Sequence, residues 1–283
     1  MGRWFARAKD KLKEAADKPQ RGIQSVEVAG RILEALARRR EPAALSELAG
    51  AAALSTAQAH TYLVSLTRLG LVKRDALSGD YEPGPLSLRL GLTHVGQQPA
   101  YRVAVPHAAQ LAERIGFSVA VCVPGVQGPM IVRYERGGYP LHVNLHVGTV
   151  MSLANTAIGR VFAAHLPDDV LDGLLVQEPI RLAGAPEIAD AADARRVLTP
   201  ALRARFERIR AAGLDDAFDA PVPGISTYAA PVFDHTRSIR LVLAVIGPSS
   251  RFERDAQSPI ARALLAAAQR LSWRFGATGD ATA

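Results

Sequence analysis

Cysteine is all but missing from this chain: Cys122 stands alone among 283 residues. One thiol cannot close an intrachain disulfide or supply a four-thiolate zinc or iron–sulfur site. Long apolar runs are missing too, and none approaches the roughly 20 residues needed to span a bilayer. Aromatic residues make up only 6% of the chain, and lysine does not occur beyond position 73. Met1 to Asp17 is charged throughout and lacks the apolar segment of a signal peptide. A cytoplasmic protein with no membrane partner is therefore expected. What remains, 48% hydrophobic and 22% charged, is ordinary globular chemistry. That balance excludes a disordered chain or a collagen.

Catalytic signatures are absent as well. Gly224-Ile-Ser-Thr lacks the strand–turn–helix context of a nucleophile elbow, because no helix is expected after Ser226. No glycine-rich phosphate loop opens a helix, and no pair of acids stands out. No catalytic residue, metal or cofactor is expected, and the chain reads as a non-enzyme. The alternatives are a small-molecule enzyme that uses a winged helix only to dimerise, and a structural nucleoid-binding protein.

The charge is uneven. Residues 1–94 carry 15 Lys+Arg against 10 Asp+Glu, a net of +5; residues 95–283 carry 19 against 17, a net of +2. A basic first third joined to a near-neutral remainder suggests a polyanion-binding module, with nucleic acid as one partner, or else a solvated basic surface.

Residues 1–22, with seven basic and three acidic side chains, read as a basic N-terminal arm. Val26, Ile32, Leu33 and Leu36 then mark one face of a helix ending before Pro42. Ser46 is placed to cap a second, short helix. Ser55 or Thr56 opens a third, whose inward face reads Ala59, Leu63, Leu66 and Leu69 before Gly70 ends it. Two extended pieces, 71–74 and 81–83, flank a turn at 75–80. Three helices and a hairpin over residues 23–84 make a winged helix-turn-helix. Leu86, Leu88, Leu90 and Leu92 fit an alternating strand, but Pro85 at a helix start and the i, i+4 leucines favour a linker helix over residues 85–104.

A second domain is expected over residues 105–276, with a tail at 277–283. Its helices are read at 106–115, 155–165, 200–211 and 252–275. Its strands are read at 117–123, 130–135, 139–153, 228–234 and 239–247. Strands in adjacent pairs imply a mainly antiparallel sheet. The fold class is α/β (α+β).

At this point the chain resembles the IclR family of bacterial transcriptional regulators. The resemblance runs from Ile23 to Phe275. It rests on the order of segments and on several motifs: Ser46-Glu-Leu-Ala49, Leu69-Gly-Leu-Val72, Tyr81-Glu-Pro-Gly84, Ala154-Asn-Thr-Ala-Ile-Gly-Arg160, Gly224-Ile225, Ala229-Ala-Pro-Val-Phe-Asp234 and Ile246-Gly-Pro248. It implies a winged helix-turn-helix joined to a GAF-like effector domain, acting as a homodimer or homotetramer on DNA.

The third helix is then the recognition helix. With Ala59, Leu63 and Leu66 inward, Ala57, Gln58, Thr61 and Ser65 lie outward. Glutamine can make a bidentate contact to adenine, and threonine can contact a base or a thymine methyl. Ser55 and Thr56 sit where backbone N–H groups meet phosphate. His60 either bonds phosphate or packs. Arg68, Lys73 and Arg74 are placed to grip the backbone, although Arg68 could equally pair with an acid.

For the effector, the start of the helix at Asn155-Thr156-Ala157 is expected to offer N–H donors to a carboxylate. The resemblance adds Ile225, Thr227 and, in a loop that often carries an acid, Asp219. Members often have polar side chains in the last strand, where this chain has Ala244 and Ile246. That replacement implies a small organic-acid effector with an aromatic or apolar body; the expected target is a catabolic operon. Leu141-His-Val-Asn-Leu-His-Val147 alternates, with His142, Asn144 and His146 on one face; without a third ligand this reads as a solvated or subunit-facing edge, not a metal site. Cys122 faces either the pocket or the core.

Overall fold

The computed structural model describes residues 22–39, 41–125, 128–141, 145–167, 170–171, 174–175 and 199–277. The expected N-terminal arm and C-terminal tail lie almost wholly outside these. The chain divides into two compact units, residues 1–94 and 95–283.

In the first unit, α1 (Gln24–Ala37) buries Ile32, Ala35 and Leu36. Val26, expected on that face, is exposed. Helix α2 (Leu45–Ala51) starts one residue before Ser46. Its start is closed by the Glu47 carboxylate, which accepts from the Ala44 N–H at 3.1 Å, and not by a serine cap. Helix α3 (Thr56–Arg68) is capped by Ser55 and buries Ala59, Leu63 and Leu66. Leu69 occupies the cap position past the last turn and is exposed. Strands β1 (Val72–Arg74) and β2 (Tyr81–Pro83) pair antiparallel, with Lys73 opposite Glu82 and Arg74 opposite Tyr81. Gly79, with φ +79°, supplies the left-handed turn residue. Helix α4 (Pro85–Gly96) resolves the strand-or-helix alternative at the leucines. The Ser87 hydroxyl donates to the Leu71 carbonyl at 2.7 Å and ties the start of α4 to the base of the wing.

The linker is not one helix over 85–104. The chain turns at Gln97 and Gln98, and α5 starts at Pro99, where a missing N–H costs nothing. Helix α5 runs to Ile115, so Pro106, read as a helix start, lies inside it. The remaining turns of packed helix override the one backbone bond that a mid-helix proline removes.

The second unit is a five-stranded antiparallel sheet in the order β4-β3-β7-β6-β5. The strands are β3 (Ser118–Val123), β4 (Met130–Glu135), β5 (Asp215–Phe218), β6 (Ile225–Phe233) and β7 (Ile239–Pro248). Strand β7 is central and covered on both faces. That explains why Leu241-Val-Leu-Ala-Val-Ile246 is continuously apolar instead of alternating. One face carries Val119, Val121, Tyr228, Leu243 and Val245, packed under α5 and α8 (Pro259–Arg274). The other carries Ala120, Cys122, Ala229, Ala244 and Ile246, packed under α6 (Ala157–Ala163) and next to α7 (Pro200–Ala212).

Two sequence expectations fail here, and one strand was not read at all. The strand over 139–153 is reduced, among the described residues, to one bridge between Met130 and Val150; His142 and Asn144 lie outside the described residues. The final helix starts at Pro259, because Ser258 caps it and the chain before it turns through a 3-10 segment at Ser249–Arg251. Strand β5, a polar four-residue edge, carries too little apolar pattern to be read.

Candidate nucleic-acid interface and effector face

Helix α3 presents a polar surface that is without formal charge until Arg68 in its last turn. Thr56, Ala57, Gln58, His60, Thr61, Ser65 and Arg68 are all exposed, so His60 is not a packing residue. The Thr61 hydroxyl donates to the Ala57 carbonyl at 3.2 Å, and that of Ser65 to the Thr61 carbonyl at 3.3 Å. Each therefore faces outward as an acceptor, and Thr61 also as a methyl group. The start of α3 is a reciprocal cap. The Gln58 N–H donates to Ser55 Oγ at 3.3 Å, while the Ser55 N–H donates to Gln58 Oε1 at 3.1 Å. Arg68 makes no ion pair among the described residues.

The wing is less cationic than its sequence implies. Lys73 Nζ lies 2.8 Å from Glu82 Oε1, and that hydrogen bond holds its pKa above the usual lysine value. Arg74 Nε donates to the Gly79 carbonyl at 2.9 Å, and its guanidinium lies over the Tyr81 ring, 5.6 Å from the centroid. The Asp75 carboxylate accepts from the Ser78 and Leu77 N–H groups, both at 2.8 Å, which holds it below the usual carboxylate range. The wing tip is thus a rigid turn presenting Leu77, which is 99% exposed. Lys73 and Arg74, the two phosphate grippers expected in the wing, are engaged inside the hairpin.

In the second unit, three predicted effector residues share one face. Thr227 on β6 stands directly opposite Ile246 on β7, and Ala244 is two residues along. Cross-strand pairing aligns Ala120, Ala244 and Ala229 in a row of small side chains across three strands. The neighbouring row reads Ser118, Ile246, Thr227 and Ala217. Ile225 packs against the same core. Ser118 and Tyr134, which are hydrogen-bonded to each other, add hydroxyl groups that sequence reasoning missed; only strand register reveals them.

Asn155, Thr156 and Ala157 do reach this face, but as a tightly closed turn. Thr156, not Asn155, caps α6: its hydroxyl accepts from the Gly159 N–H at 2.9 Å and donates to the Ser152 carbonyl at 2.7 Å. The Asn155 N–H donates to Ser152 Oγ at 3.1 Å, so it is not the unpaired donor expected. A Cβ on Gly159 would lie 1.8 Å from the Ser152 carbonyl oxygen, which fixes glycine at that position. Asp219 is not brought to the wall. Its carboxylate accepts from Arg254 at 2.8 Å and from the Gly224 N–H at 3.2 Å, and Arg254 lies over Phe218 on the α8 side. Hydrogen bonding to Ser249, then to Gly224 and Arg254, depresses its pKa.

An ionic cluster pins α6 to the sheet edge. Arg160 Nε donates to Asp215 Oδ2 at 2.7 Å and its Nη2 to the Asp216 carbonyl at 2.8 Å. Arg205, on α7, reaches Asp215 Oδ1 at 2.8 Å and the same carbonyl at 2.6 Å. Burial pushes the Arg160 pKa down while Asp215 opposes the shift. An arginine inside the apolar run Ala-Ile-Gly-Arg-Val-Phe-Ala was the only trace of this in the sequence. Cys122 lies in the core, where burial pushes its thiol pKa up and keeps it protonated. No group of three His, Cys, Asp or Glu side chains that could hold a metal occurs among the described residues. No helix among them is long and apolar enough to cross a membrane.

A winged helix-turn-helix followed by an antiparallel sheet flanked by helices defines a DNA-binding transcriptional regulator with a separate effector domain. Residues 25–76 match the IclR helix-turn-helix domain, and residues 93–273 match the bacterial transcriptional regulator IclR C-terminal domain. The glycerol operon regulatory protein of Streptomyces coelicolor is 30% identical over 237 residues, which cover 84% of this chain and 89% of that protein. An IclR transcriptional regulator from Alicyclobacillus acidocaldarius superimposes with a TM-score of 0.69 at 22% identity, covering 89% of this chain and 99% of that one. An IclR homologue from Microbacterium hydrocarbonoxydans, solved with 4-hydroxybenzoate, gives 0.67 at 19%, covering 90% and 100%. The chain belongs to the IclR family of bacterial transcriptional regulators, and it is not an enzyme.

Proposed function

We propose that this protein reads an operator through α3 as a dimer or larger homo-oligomer, and that a small amphipathic organic acid bound in the second unit controls it. A cytoplasmic catabolic operon is the target. The observation that carries the effector reading is the face under α6. Ala120, Ala229 and Ala244 give it an apolar row, and Thr227 with Ser118 flank Ile246 in the next row. A carboxylate or hydroxyl at one end of a ligand would meet the Thr227 hydroxyl there, since that of Ser118 already accepts from the Gly137 N–H at 3.0 Å. A second polar group over the alanine row has none, at a cost of about 1–3 kcal/mol. The 4-hydroxybenzoate bound by the Microbacterium homologue shares the carboxylate and the aromatic body, while its para-hydroxyl is a second polar group that needs a partner beyond the alanine row. The glycerol operon relatives make a polyol the competing class. The ligand shifts the population of DNA-competent arrangements instead of creating one.

Association has its own support. Helix α4 buries none of its residues, and Leu88 and Leu92, one turn apart, are each 65% exposed. A second copy would cover them and place two recognition helices roughly 34–36 Å apart, or a multiple of that. The test is calorimetry on the full-length protein with 4-hydroxybenzoate, an aliphatic dicarboxylate and glycerol, alongside light scattering. Tighter binding of the aromatic acid by a dimer or tetramer is expected. Tighter binding of glycerol or the dicarboxylate, or a monomer that still binds DNA tightly, would overturn the reading.

A further inference from the structure

We infer that Gln58 reads the operator only as a hydrogen-bond donor, so it selects guanine or thymine and not the adenine that a free glutamine prefers. The inference rests on α3 being the base-reading helix. Its basis is the cap at the start of α3. The Ser55 backbone N–H and the Ser55 hydroxyl both donate to Gln58 Oε1, each at 3.1 Å. A backbone N–H can be met only by an acceptor, so the amide oxygen faces Ser55 and the NH2 group faces away. The hydroxyl proton has no other use here, because Ser55 Oγ itself accepts from the Gln58 N–H. A carbonyl oxygen has two lone pairs, and both are taken.

The side chain is exposed in the first turn of α3, beside Ala57 and Thr61. What it offers DNA is therefore two N–H donors and no acceptor. Bidentate recognition of adenine needs both, a donor for N7 and an acceptor for the N6 amino group; a donor-only side chain can reach N7, but its second N–H then faces the N6 amino group. Guanine presents O6 and N7, two adjacent acceptors, and thymine presents O4. Cytosine presents only its N4 amino group, which meets another donor. Releasing Oε1 to suit adenine would break both bonds of the cap at once, exchanging them for water.

Selection from a random duplex library tests this, using the full-length wild type, Gln58→Glu and Gln58→Ala. Glutamate completes the same cap, so the circular-dichroism melt of Gln58→Glu should overlay the wild type. Its outward oxygen is an acceptor, which reverses the chemistry at one position. The wild type should select guanine or thymine where Gln58→Glu selects cytosine or adenine. Each protein should prefer its own site by on the order of tenfold, and Gln58→Ala should lose preference at that position alone. Adenine at that position in the wild-type site, or the same base selected by wild type and Gln58→Glu, would overturn donor-only reading. If Gln58→Ala enriches an unchanged motif, Gln58 reads no base, and the inference fails while α3 recognition stands. If none of the three proteins enriches any motif, operator reading through α3 fails as well.

Discussion

Removing the charge of Asp215 tests what holds the effector domain together. Asp215 is 3% exposed at its side chain and faces two guanidinium groups, one of which, Arg160, is only 11% exposed. Asp215→Asn keeps the shape and can keep one hydrogen bond. It leaves Arg160 buried beside Arg205 with no counter-charge nearer than the half-exposed Asp216. Stranding one partner of a buried pair costs about 3–5 kcal/mol, and the retained hydrogen bond puts this change near 3. For a unit of this size, each kcal/mol lowers the midpoint by about 2–4 °C, so a fall of about 6–12 °C is expected by scanning calorimetry. Arg160→Met combined with Asp215→Leu should lose less than Asp215→Asn, because it removes the stranded charge along with its partner. Raising salt to about 0.5 M should not reproduce the loss, since the pair is shielded from counterions. A fall under about 2 °C would show that the cluster is worth no more than an exposed ion pair, and would refute the claim that it pins α6.

Three further outcomes are expected. Glu82→Gln should free Lys73 for phosphate and steepen the log–log salt dependence of DNA binding by about 0.9; an unchanged slope in titrations at several salt concentrations would mean that the wing never reaches the backbone. Gly159→Ala should destabilise the effector domain by at least about 1–3 kcal/mol in a urea melt, because the new methyl meets a backbone carbonyl; an unaltered midpoint would contradict the fit. His165, beside Phe233 with Nδ1 2.8 Å from the Val161 carbonyl, has its pKa lowered by burial and further by Arg210, with the carbonyl opposing. The folded state then binds a proton more weakly than the unfolded one, so stability is complete above about pH 6.5 and falls as pH drops below it. His107 is shifted the same way by burial, Arg274 and Arg270, so His165→Gln should reduce the loss of thermal midpoint on acidification without abolishing it.

The DNA-binding domain was the more legible half. Its helices are amphipathic at the 3.6-residue period, and Ala59, Leu63 and Leu66 face inward as their spacing predicts. Local turn chemistry carried the wing, where Gly79 has the positive φ that a tight hairpin turn needs. What escaped is set by partners far along the chain. Lys73 and Arg74 read as free cations because nothing in a linear pattern pairs them with Glu82 or Tyr81 across the hairpin. Asp215 and Arg160 meet across 55 positions, and β5 becomes a strand only because β6 hydrogen-bonds it. The proposed effector wall was half visible: Ala244 and Ile246 share a face by simple alternation, whereas Ser118 and Ala120 joined them only through register. The donors expected at Asn155 failed because Ser152, an unremarked residue, closes that turn.

The internally paired wing bears on how the protein searches a chromosome. Cations free to meet phosphate strengthen binding to every sequence alike, and a genome offers about 10⁶–10⁹ competing sites for each operator. Here five charged side chains over 73–82 sum to −1, and both cations are held within the hairpin. Such a wing adds little to the grip on random DNA, so fewer molecules are sequestered there and more reach the operator at low copy number. On the proposal that α3 reads the operator, discrimination then falls to its polar face, where binding energy depends on sequence.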